Sequence, residues 1–317
     1  MKSFFVLNSN DDWNLEKPEF DKYKWQIDNI FLEELTKRGY EYFRGCYKYF
    51  NGKSFSKAWK YENGKWEHYD KELTPDCIFD KTSAYDENGD LDFSQLGAIS
   101  SINSNYKVVN TLNFALLIDN KLYHSVLFKD YLPKTVTSID EIPSIDSEKV
   151  VVKELQGSGS KFVNILNKEQ VEKVTNNQIV QEFVDGKDKE GNLRDYRFVY
   201  INTKIMFGET REAPKGTLLT NCSKGAVNKI YLPNEMPENL TKFSNEISEK
   251  IKTFRNTTYS VDLMYDSNKG RPYLIELNSM PGLGLYENKL NIELDDKTKS
   301  IYSKYIGKLV DNVTSPI

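Results

Sequence analysis

Two apolar runs with polar residues inside them mark the C-terminal part of the chain: Tyr259-Ser-Val-Asp-Leu-Met-Tyr265 and Leu274-Ile-Glu-Leu-Asn-Ser-Met-Pro-Gly-Leu283. Their length and composition predict two strands, joined into a hairpin by a turn at residues 266–270. With this five-residue turn, Asp262 lies opposite residue 274 and shares one face of the sheet with Glu276 and Asn278. A four-residue turn would break this parity.

Three oxygen-bearing side chains on one face of an apolar hairpin predict a cation site, because burying them is costly unless a cation neutralises them. Hard oxygen ligands on a preformed surface suit Mg²⁺ that is bound together with phosphates. The alternative is an edge hairpin whose polar face lies in water, which the flanking residues Val261, Leu263, Ile275 and Leu277 allow. Spacing alone leaves both interpretations open.

A lysine inside an apolar strand precedes a loop of glycine and serine. The strand covers residues 150–155 and contains Lys153, and the loop is Gly157-Ser-Gly-Ser160. Glycine and serine let backbone amides approach phosphate oxygens, and the lysine adds a positive charge beside them. The pattern favours a phosphate site, although a Gly/Ser hairpin without a ligand has the same sequence.

Two further segments could contact a nucleotide. The predicted strand at residues 179–185 ends in a carboxylate and could present Glu182 and neighbouring backbone groups to the edge of a nucleobase. The segment 209–225, interrupted by Gly and Pro, carries residues that could bind anions: Arg211, Lys215 and Asn221. An ordinary strand end and a solvated loop are the respective alternatives.

The order of these signals resembles the ATP-grasp ligase superfamily. The strand lysine and the Gly/Ser loop are followed by Gln181-Glu-Phe-Val184, Asp195-Tyr-Arg197, Asp262 and Glu276-Leu-Asn-Ser-Met-Pro-Gly282. The chain is most similar to the branch that contains ribosomal-protein glutamate ligases, glutathione synthetase and ribosomal peptide-modifying ligases. The resemblance runs from about residue 108 to residue 284, and it implies that ATP lies between two α+β subdomains beneath the Gly/Ser loop.

The resemblance implies a role for each matching residue. The residues implied for ATP are Lys121, Lys153, Gly157, Ser158, Gly159, Ser160, Gln181, Glu182, Phe183, Val184 and Asp188, with Asp185 as the alternative to Asp188 at the ribose. The residues implied for Mg²⁺ are Asp262, Glu276 and Asn278. The residues implied near the phosphates and the acyl group, and therefore for catalysis, are Arg197, Arg211 and Asn221.

The chain departs from its relatives at two places. Ser160, Lys161 and Phe162 stand where these relatives often have additional glycines, and Leu219 stands where an arginine often precedes the active-site asparagine. Both changes affect the phosphate and active-site loops, while the three implied Mg²⁺ ligands are retained.

Composition and charge exclude several classes of protein. The chain has 317 residues with 43 Lys plus Arg against 47 Asp plus Glu, so it lacks the basic field that would favour nucleic acid or an anionic membrane. Only 2 His argue against a His-based triad or a His-rich zinc site. Three distant cysteines, the absence of a signal-peptide pattern and the absence of a long apolar run predict a cytoplasmic protein.

The expected fold is α/β and α+β, with an N-terminal open α/β domain and two α+β subdomains that enclose ATP. A β-α-β order at residues 3–7, 26–38 and 40–43 starts the open sheet. The predicted domains are residues 1–106 (the N-terminal domain), 107–180 (the central ATP-grasp subdomain) and 181–317 (the C-terminal subdomain with a terminal helix).

The resemblance implies an ATP-dependent carboxylate–amine or carboxylate–hydroxyl ligase that acts through an acyl phosphate and releases ADP and phosphate. Its cofactors would be ATP and Mg²⁺, with Mn²⁺ as the alternative ion. Its partners would be a carboxylate substrate, with a peptide as one candidate, and an amine or hydroxyl acceptor. Whether the protein forms a homodimer stays an open question at this point. The alternatives are an ATP-binding module without turnover and a kinase on the same fold.

Overall fold

The computed structural model describes residues 2–18, 21–83, 85, 91–156, 163–188, 190–220, 225–284 and 292–314. The strands, in chain order, are β1 (Lys2–Asn8), β2 (Tyr40–Cys46), β3 (Ala58–Glu62), β4 (Lys65–Tyr69), β5 (Cys77–Asp80), β6 (Val108–Val109), β7 (Thr135–Val136), β8 (Lys149–Glu154), β9 (Val163–Asn167), β10 (Gln178–Glu182), β11 (Arg194–Ile201), β12 (Lys204–Glu212), β13 (Val227–Tyr231), β14 (Thr258–Asp266) and β15 (Arg271–Asn278). The α-helices are α1 (Asp21–Thr36), α2 (Phe93–Asn105), α3 (Leu112–Ile118), α4 (Lys121–Leu127), α5 (Glu238–Lys250) and α6 (Asp296–Thr314).

The chain divides into two compact units, each built from separate segments. Unit 1 contains Met1–Ala115, Phe254–Thr258 and Met280–Ile317, and unit 2 contains Leu116–Thr253 and Tyr259–Ser279. These two units and the three predicted segments divide the chain differently. The three-domain division stays a prediction.

Unit 1 is built on a six-stranded sheet of order β4-β3-β2-β1-β5-β6. Strand β1 pairs in parallel with both β2 and β5, and α1 connects β1 to β2, which confirms the predicted β-α-β start. The hairpin between β3 and β4 turns at Asn63 and Gly64, whose φ angles of 52° and 77° suit a two-residue turn. Aromatic residues fill its core, and the rings of Phe5 and Phe55 stack at 4.3 Å.

Helix α6 packs with α1 in unit 1. Arg38 donates from Nε to Asp311 Oδ1 at 2.7 Å, and Ser303 Oγ donates to Glu34 Oε1 at 2.7 Å. Its apolar residues at spacings of three and four (Ile301, Tyr305, Ile306 and Leu309) are all buried, as expected of one face of a packed helix. Within the described residues, no helix is long and apolar enough to cross a membrane.

Unit 2 contains two antiparallel sheets. One has the order β7-β10-β8-β9, and the other has the order β13-β12-β11-β14-β15. Helix α5 covers the second sheet through buried hydroxyl contacts, since Tyr200 Oη lies 2.6 Å from Ser244 Oγ and Tyr259 Oη lies 2.7 Å from Ser248 Oγ. The two tyrosine rings stack at 5.2 Å. Their hydroxyl contacts hold α5 in one position on β11 and β14.

The hairpin of β14 and β15 corrects one step of the sequence analysis. Asp266 pairs with Arg271, so the connecting loop has the four residues 267–270, and the predicted turn length is wrong. Asp262 lies opposite Glu276 and not opposite Leu274, because the register shifts between Asp262 and Leu263. Ile275 is the extra residue of a β-bulge, and this bulge restores the parity that the shorter loop would have broken.

Candidate active site

A cavity of about 140 Å³ lies in unit 2 and is lined by residues of both its sheets. Aliphatic side chains supply part of its wall, among them Val151, Ile165, Met264 and Ile275. Eleven of the residues implied by the resemblance also line it: Lys121, Lys153, Gln181, Glu182, Phe183, Val184, Arg197, Arg211, Asp262, Glu276 and Asn278. An apolar wall with a few converging charged groups is typical of a ligand site.

The three residues predicted to hold Mg²⁺ come from β14 and β15. Because Asp262 pairs with Glu276 and Ser260 pairs with Asn278, the two carboxylates and the amide project from the same face. The described residues contain no group of three or more His, Cys, Asp or Glu side chains suited to a metal, so the candidate set is two carboxylates and one amide. Carboxylate and amide oxygens are hard donors, and this set fits Mg²⁺.

Asn278 also indicates a ligand that carries a hydrogen-bond acceptor, since an amide N–H group cannot bind a cation. Its Nδ2 atom is buried and has no hydrogen-bond partner among the described residues. A buried amide is costly to leave unpaired, and such groups in native structures require an explanation. A ligand in the cavity would supply one.

Two arginines surround Asp262. Arg197 donates from Nε and Nη2 to the two carboxylate oxygens of Asp262 at 2.8 and 2.7 Å. Arg211 donates from Nη2 to Asp262 Oδ2 at 2.8 Å and makes two further bonds of 2.7 Å to Asp195. Thr220 Oγ1 also donates to Asp195 Oδ2. These contacts form one continuous network of buried charges.

The network sets the charge of its carboxylates. Burial raises the pKa of Asp262, but the charges of Arg197 and Arg211 outweigh burial and hold this pKa well below its usual value. Burial also opposes ionisation of Glu276, and the nearby Lys121 ammonium, 3.0 Å away, still lowers the pKa of that carboxyl. Both carboxylates of the predicted metal site are therefore ionised at neutral pH, as a cation site requires.

Lys153 is a buried lysine that lines the cavity. Its Nζ donates to Gln181 Oε1 at 2.6 Å and to the carbonyl oxygen of the bulge residue Ile275 at 3.3 Å. Burial lowers the pKa of Lys153 to about 8, with the Lys121 charge acting in the same direction and Glu276 opposing it. The ammonium therefore lies in a site where an anion would stabilise its charge.

The last two residues of β10 and the two residues after it, 181–184, line the cavity. Gln181 Nε2 donates to Thr135 Oγ1 at 2.9 Å, so this side chain is held from two sides. Glu182 was predicted to meet a nucleobase, and in the structure its carboxylate accepts a bond of 2.6 Å from Lys269 Nζ. The carboxylate lines the cavity with its charge already paired.

Several predicted residues lie elsewhere. Asp188 is not among the residues that line the cavity, because its carboxylate pairs with Arg194 at 3.0 Å and accepts from the backbone of Glu190 and Asn192. Asp185 pairs with the neighbouring Lys187 at 3.3 Å. Five predicted residues lie outside the described residues: Gly157, Ser158, Gly159, Ser160 and Asn221.

The structure adds residues to which the sequence analysis gave no role. Asp195 and Thr220 line the cavity beside the arginines. Asp119 accepts from the Ser279 backbone at 2.8 Å and from its hydroxyl at 2.6 Å, which fixes the chain directly after Asn278. Asp195 could have been found, because it lies two residues before Arg197 and so projects from the same face of one strand.

Comparison with known families agrees with this geometry. Residues 113–301, more than half of the chain, match the model of the RimK-like ATP-grasp domain. The chain belongs to the RimK-like ATP-grasp family. The predicted ATP-grasp fold class is confirmed, and the protein is an ATP-grasp ligase that uses ATP and Mg²⁺.

Solved structures share the fold of this ATP-grasp ligase at low sequence identity. The D-cycloserine synthetase DcsG has 12% identity and a TM-score of 0.62, with 96% of this chain and 99% of that chain covered. The ATP-grasp ligase PsnB, complexed with a phosphomimetic variant of minimal precursor, Mg and ADP, has 12% identity and a TM-score of 0.59, with 98% and 99% covered.

A third structure is the macrocyclase MdnC bound with precursor peptide MdnA from Microcystis aeruginosa MRC. It has 13% identity and a TM-score of 0.58, with 98% of this chain and 99% of that chain covered. No curated protein matches the sequence of this ATP-grasp ligase.

Proposed function

We propose that this ATP-grasp ligase uses the cavity of unit 2 to activate a carboxylate as an acyl phosphate and to pass the acyl group to an amine. One observation carries the proposal: the oxygen ligands Asp262, Glu276 and Asn278 face the same cavity as two lysines and two arginines. Phosphoryl transfer depends mainly on positioning and on neutralising charge, and this arrangement supplies both without a histidine.

The cationic side chains have separate tasks. Lys121 and Lys153 are buried, and they would bind phosphate oxygens of the nucleotide as point charges. Arg197 and Arg211 would bind the transferred phosphoryl group and the acyl oxygen, since a guanidinium can donate two parallel hydrogen bonds to such groups. When bound through Asp262, Glu276 and Asn278, Mg²⁺ supplies charge neutralisation at the phosphates.

The proposed chemistry has two steps. A carboxylate oxygen of the substrate forms a bond to the γ-phosphorus, the bond from that phosphorus to the β,γ-bridging oxygen breaks, and ADP leaves. The amine nitrogen then bonds to the acyl carbon, phosphate leaves with the electron pair of the broken C–O bond, and the amine loses a proton. The proton would pass to the released phosphate or to solvent.

We further propose that the carboxylate belongs to a peptide. Two solved structures with the same fold are complexes with a precursor, and one of these precursors is named as a peptide. At 12–13% identity this likeness reaches the fold alone, so it supports the proposal by analogy. A small amino acid as the acid is the competing substrate.

Trapping with hydroxylamine tests the chemistry. The enzyme is incubated with ATP, Mg²⁺, hydroxylamine and panels of amino acids and of peptides with free Asp, Glu or C-terminal carboxylates. We expect a hydroxamate and ADP with one panel in the absence of any natural amine, and Asn278→Ala serves as the inactive control. Formation of AMP and pyrophosphate, or of a stable phosphorylated hydroxyl product, would overturn the proposal.

A further inference from the structure

The two arginines of the cavity are held differently. Within the described residues, Arg197 makes both of its side-chain hydrogen bonds to Asp262. Arg211 instead lies between two carboxylates, with bonds from Nε and Nη2 to Asp195 and one bond from Nη2 to Asp262. The bond pattern to Asp195 is bidentate, which is the strongest arrangement available to an arginine and a carboxylate.

This asymmetry matters because Asp262 is also a predicted metal ligand. A bound cation would withdraw negative charge from Asp262, so the bonds from this carboxylate to both arginines would weaken together. Arg197 would then be released from its partner and could turn to a ligand. Arg211 would keep its two bonds to Asp195, because Asp195 does not belong to the metal-ligand set.

Asp195 has a second contact of its own. Thr220 Oγ1 donates to the same Oδ2 atom that accepts from Arg211 Nη2. Thr220 is the last residue of the described range 190–220. It lines the cavity together with the two residues before it, Leu218 and Leu219. The position of this cavity wall is therefore tied to the position of the Arg211 guanidinium through one carboxylate.

The origin of the contact lies in the sheet. Asp195 on β11 and Arg211 on β12 are directly opposed in the antiparallel ladder, so their side chains lie side by side on one face. Asp195 is 3% exposed, and burial raises its pKa while the Arg211 charge opposes this rise. A buried ion pair can often be replaced as a whole by apolar residues at little cost, whereas loss of Asp195 alone would leave Arg211 with only part of its counter-charge.

We propose that Asp195 is a positioning residue, which keeps Arg211 and the 218–220 segment in place when Asp262 turns to the metal and Arg197 is released. The inference rests on the proposed function of the cavity, because it takes Asp262 as a metal ligand. It assigns different tasks to the two arginines: Arg211 is a fixed part of the site, and Arg197 moves when the metal binds.

Arginine side-chain NMR tests the proposal without turnover. With arginine labelled by ¹⁵N, the Hε signals of Arg197 and Arg211 are assigned from Arg197→Lys and Arg211→Lys. On addition of Mg²⁺ and AMPPNP to the wild type, we expect the Arg211 Hε to stay slowly exchanging and the Arg197 Hε signal to shift. In Asp195→Asn the same addition should accelerate exchange of the Arg211 Hε by at least about tenfold, the effect of one lost charge-assisted hydrogen bond.

Two results would overturn the proposal that Asp195 positions Arg211. One is equal protection of the Arg211 Hε in wild type and Asp195→Asn with Mg²⁺ and AMPPNP present, since Asp262 would then suffice. The other is an Arg197 signal that does not respond to Mg²⁺ and AMPPNP although calorimetry shows that the nucleotide binds. A wild type that binds AMPPNP but forms no hydroxamate would contradict the proposed ligase chemistry and leave this test intact, so the two failures are distinguishable.

Thr220 provides a milder variant in case Asp195→Asn does not fold. Thr220→Val removes the hydroxyl donor at constant shape, and Thr220→Ser restores it. We expect Thr220→Val to lower kcat about tenfold with the KM for ATP changed less than about twofold, because a single hydrogen bond to a carboxylate is lost away from the nucleotide-binding lysines. Recovery of kcat in Thr220→Ser supports a link from Thr220 through Asp195 to Arg211. A Ser variant as slow as the Val variant contradicts this link.

Discussion

The two carboxylates predicted to bind the metal, Asp262 and Glu276, each depend on oppositely charged neighbours. Asp262 stays ionised although it is buried, because two arginines lie within hydrogen-bonding distance of it. A buried pair of this kind costs little while it is complete, and breaking it leaves an uncompensated charge. The predicted metal ligands therefore differ in what they contribute to stability, although all three face the same ligand.

Asp262→Asn and Asn278→Ala should separate stability from function. Asp262→Asn leaves the buried Arg211 and the partly buried Arg197 without a full counter-charge, so we expect it to lower the free energy of unfolding by about 3–5 kcal/mol. Asn278→Ala removes a side chain whose Nδ2 has no partner among the described residues, so its cost should stay below about 1 kcal/mol. Urea denaturation measures the free energy of unfolding of both variants.

Turnover should fall in both variants, and by at least about 100-fold in Asn278→Ala, since each would remove a group that stabilises charge at the phosphates. If Asn278→Ala destabilises the protein as much as Asp262→Asn does, then Asn278 has a structural role and the assignment of the metal site is wrong.

Lys153 should make nucleotide binding depend on pH. Its pKa of about 8 lies below the ordinary value of 10.5, mainly because of burial. Nucleotide phosphates favour the ammonium form, so binding should raise this pKa. Affinity for AMPPNP with Mg²⁺ should therefore fall as the pH rises through about 8, and proton uptake should accompany binding near that pH, as measured by calorimetry in two buffers of different ionisation enthalpy.

Two variants serve as controls for Lys153. Lys153→Arg keeps a charge that does not titrate in this range, and it should remove the proton uptake. Lys153→Ala should weaken binding by one to two decades, which is the effect of losing about 1.5–3 kcal/mol. An affinity that is unchanged in Lys153→Ala rules out a contact between this lysine and the nucleotide.

Secondary-structure elements show where sequence reasoning succeeds and where it fails. Length and composition predicted the β14–β15 hairpin, and the two-residue period of a strand predicted the shared face of Glu276 and Asn278, because both depend only on local properties. Asp262 shares this face because the bulge offsets the error in the predicted turn length. The bulge at Ile275 was not predicted, since an apolar residue in an apolar strand gives no local sign of an extra residue. Asp195 was missed for a related reason: its bond to Arg211 depends on the register of two strands, which is a non-local property.

The short helix α4 should make unit 2 sensitive to acid. His124 is 3% exposed, and its Nε2 lies 2.6 Å from the carbonyl oxygen of Ile118. Burial lowers the pKa of His124 from 6.5 to about 4, and the Lys121 charge also lowers it. A lowered pKa in the folded state contributes stability that is complete above pH 6.5 and is lost as the pH falls through about 4.

Comparison of wild type with His124→Gln measures this contribution. Between pH 7 and pH 4, the wild type should lose about 3 kcal/mol more of its free energy of unfolding than His124→Gln loses. The glutamine can still donate to the Ile118 carbonyl but does not titrate, so the carboxylates that titrate in both proteins cancel. Equal acid sensitivity of the two proteins would show that His124 can be protonated without cost.

For the whole molecule, the sequence predicted the ATP-grasp class because its chemical motifs keep their order along about half of the chain. It did not predict how the segments group into compact units. Helix α6 and residues 254–258 belong to unit 1, although they flank strands of unit 2 in sequence. Such grouping depends on tertiary packing between apolar faces, and an apolar face does not identify its partner.

Nucleotide binding should leave a pattern of protection that follows the two units. All residues described as lining the candidate site belong to unit 2, so Mg²⁺ with AMPPNP should slow hydrogen exchange in β8, β10, β14 and β15 and leave β1, β2 and β5 unchanged. At a ligand concentration of 100 times Kd, the stabilisation should be about 2.7 kcal/mol.

Asn278→Ala should keep the protection that AMPPNP gives without Mg²⁺ and should lose the increment that Mg²⁺ adds, because it retains both lysines and lacks one oxygen ligand. Protection centred on β1, β2 and β5 would place the nucleotide in unit 1 and contradict the site, whereas an unchanged Mg²⁺ increment in Asn278→Ala would move the metal away from the β14–β15 hairpin.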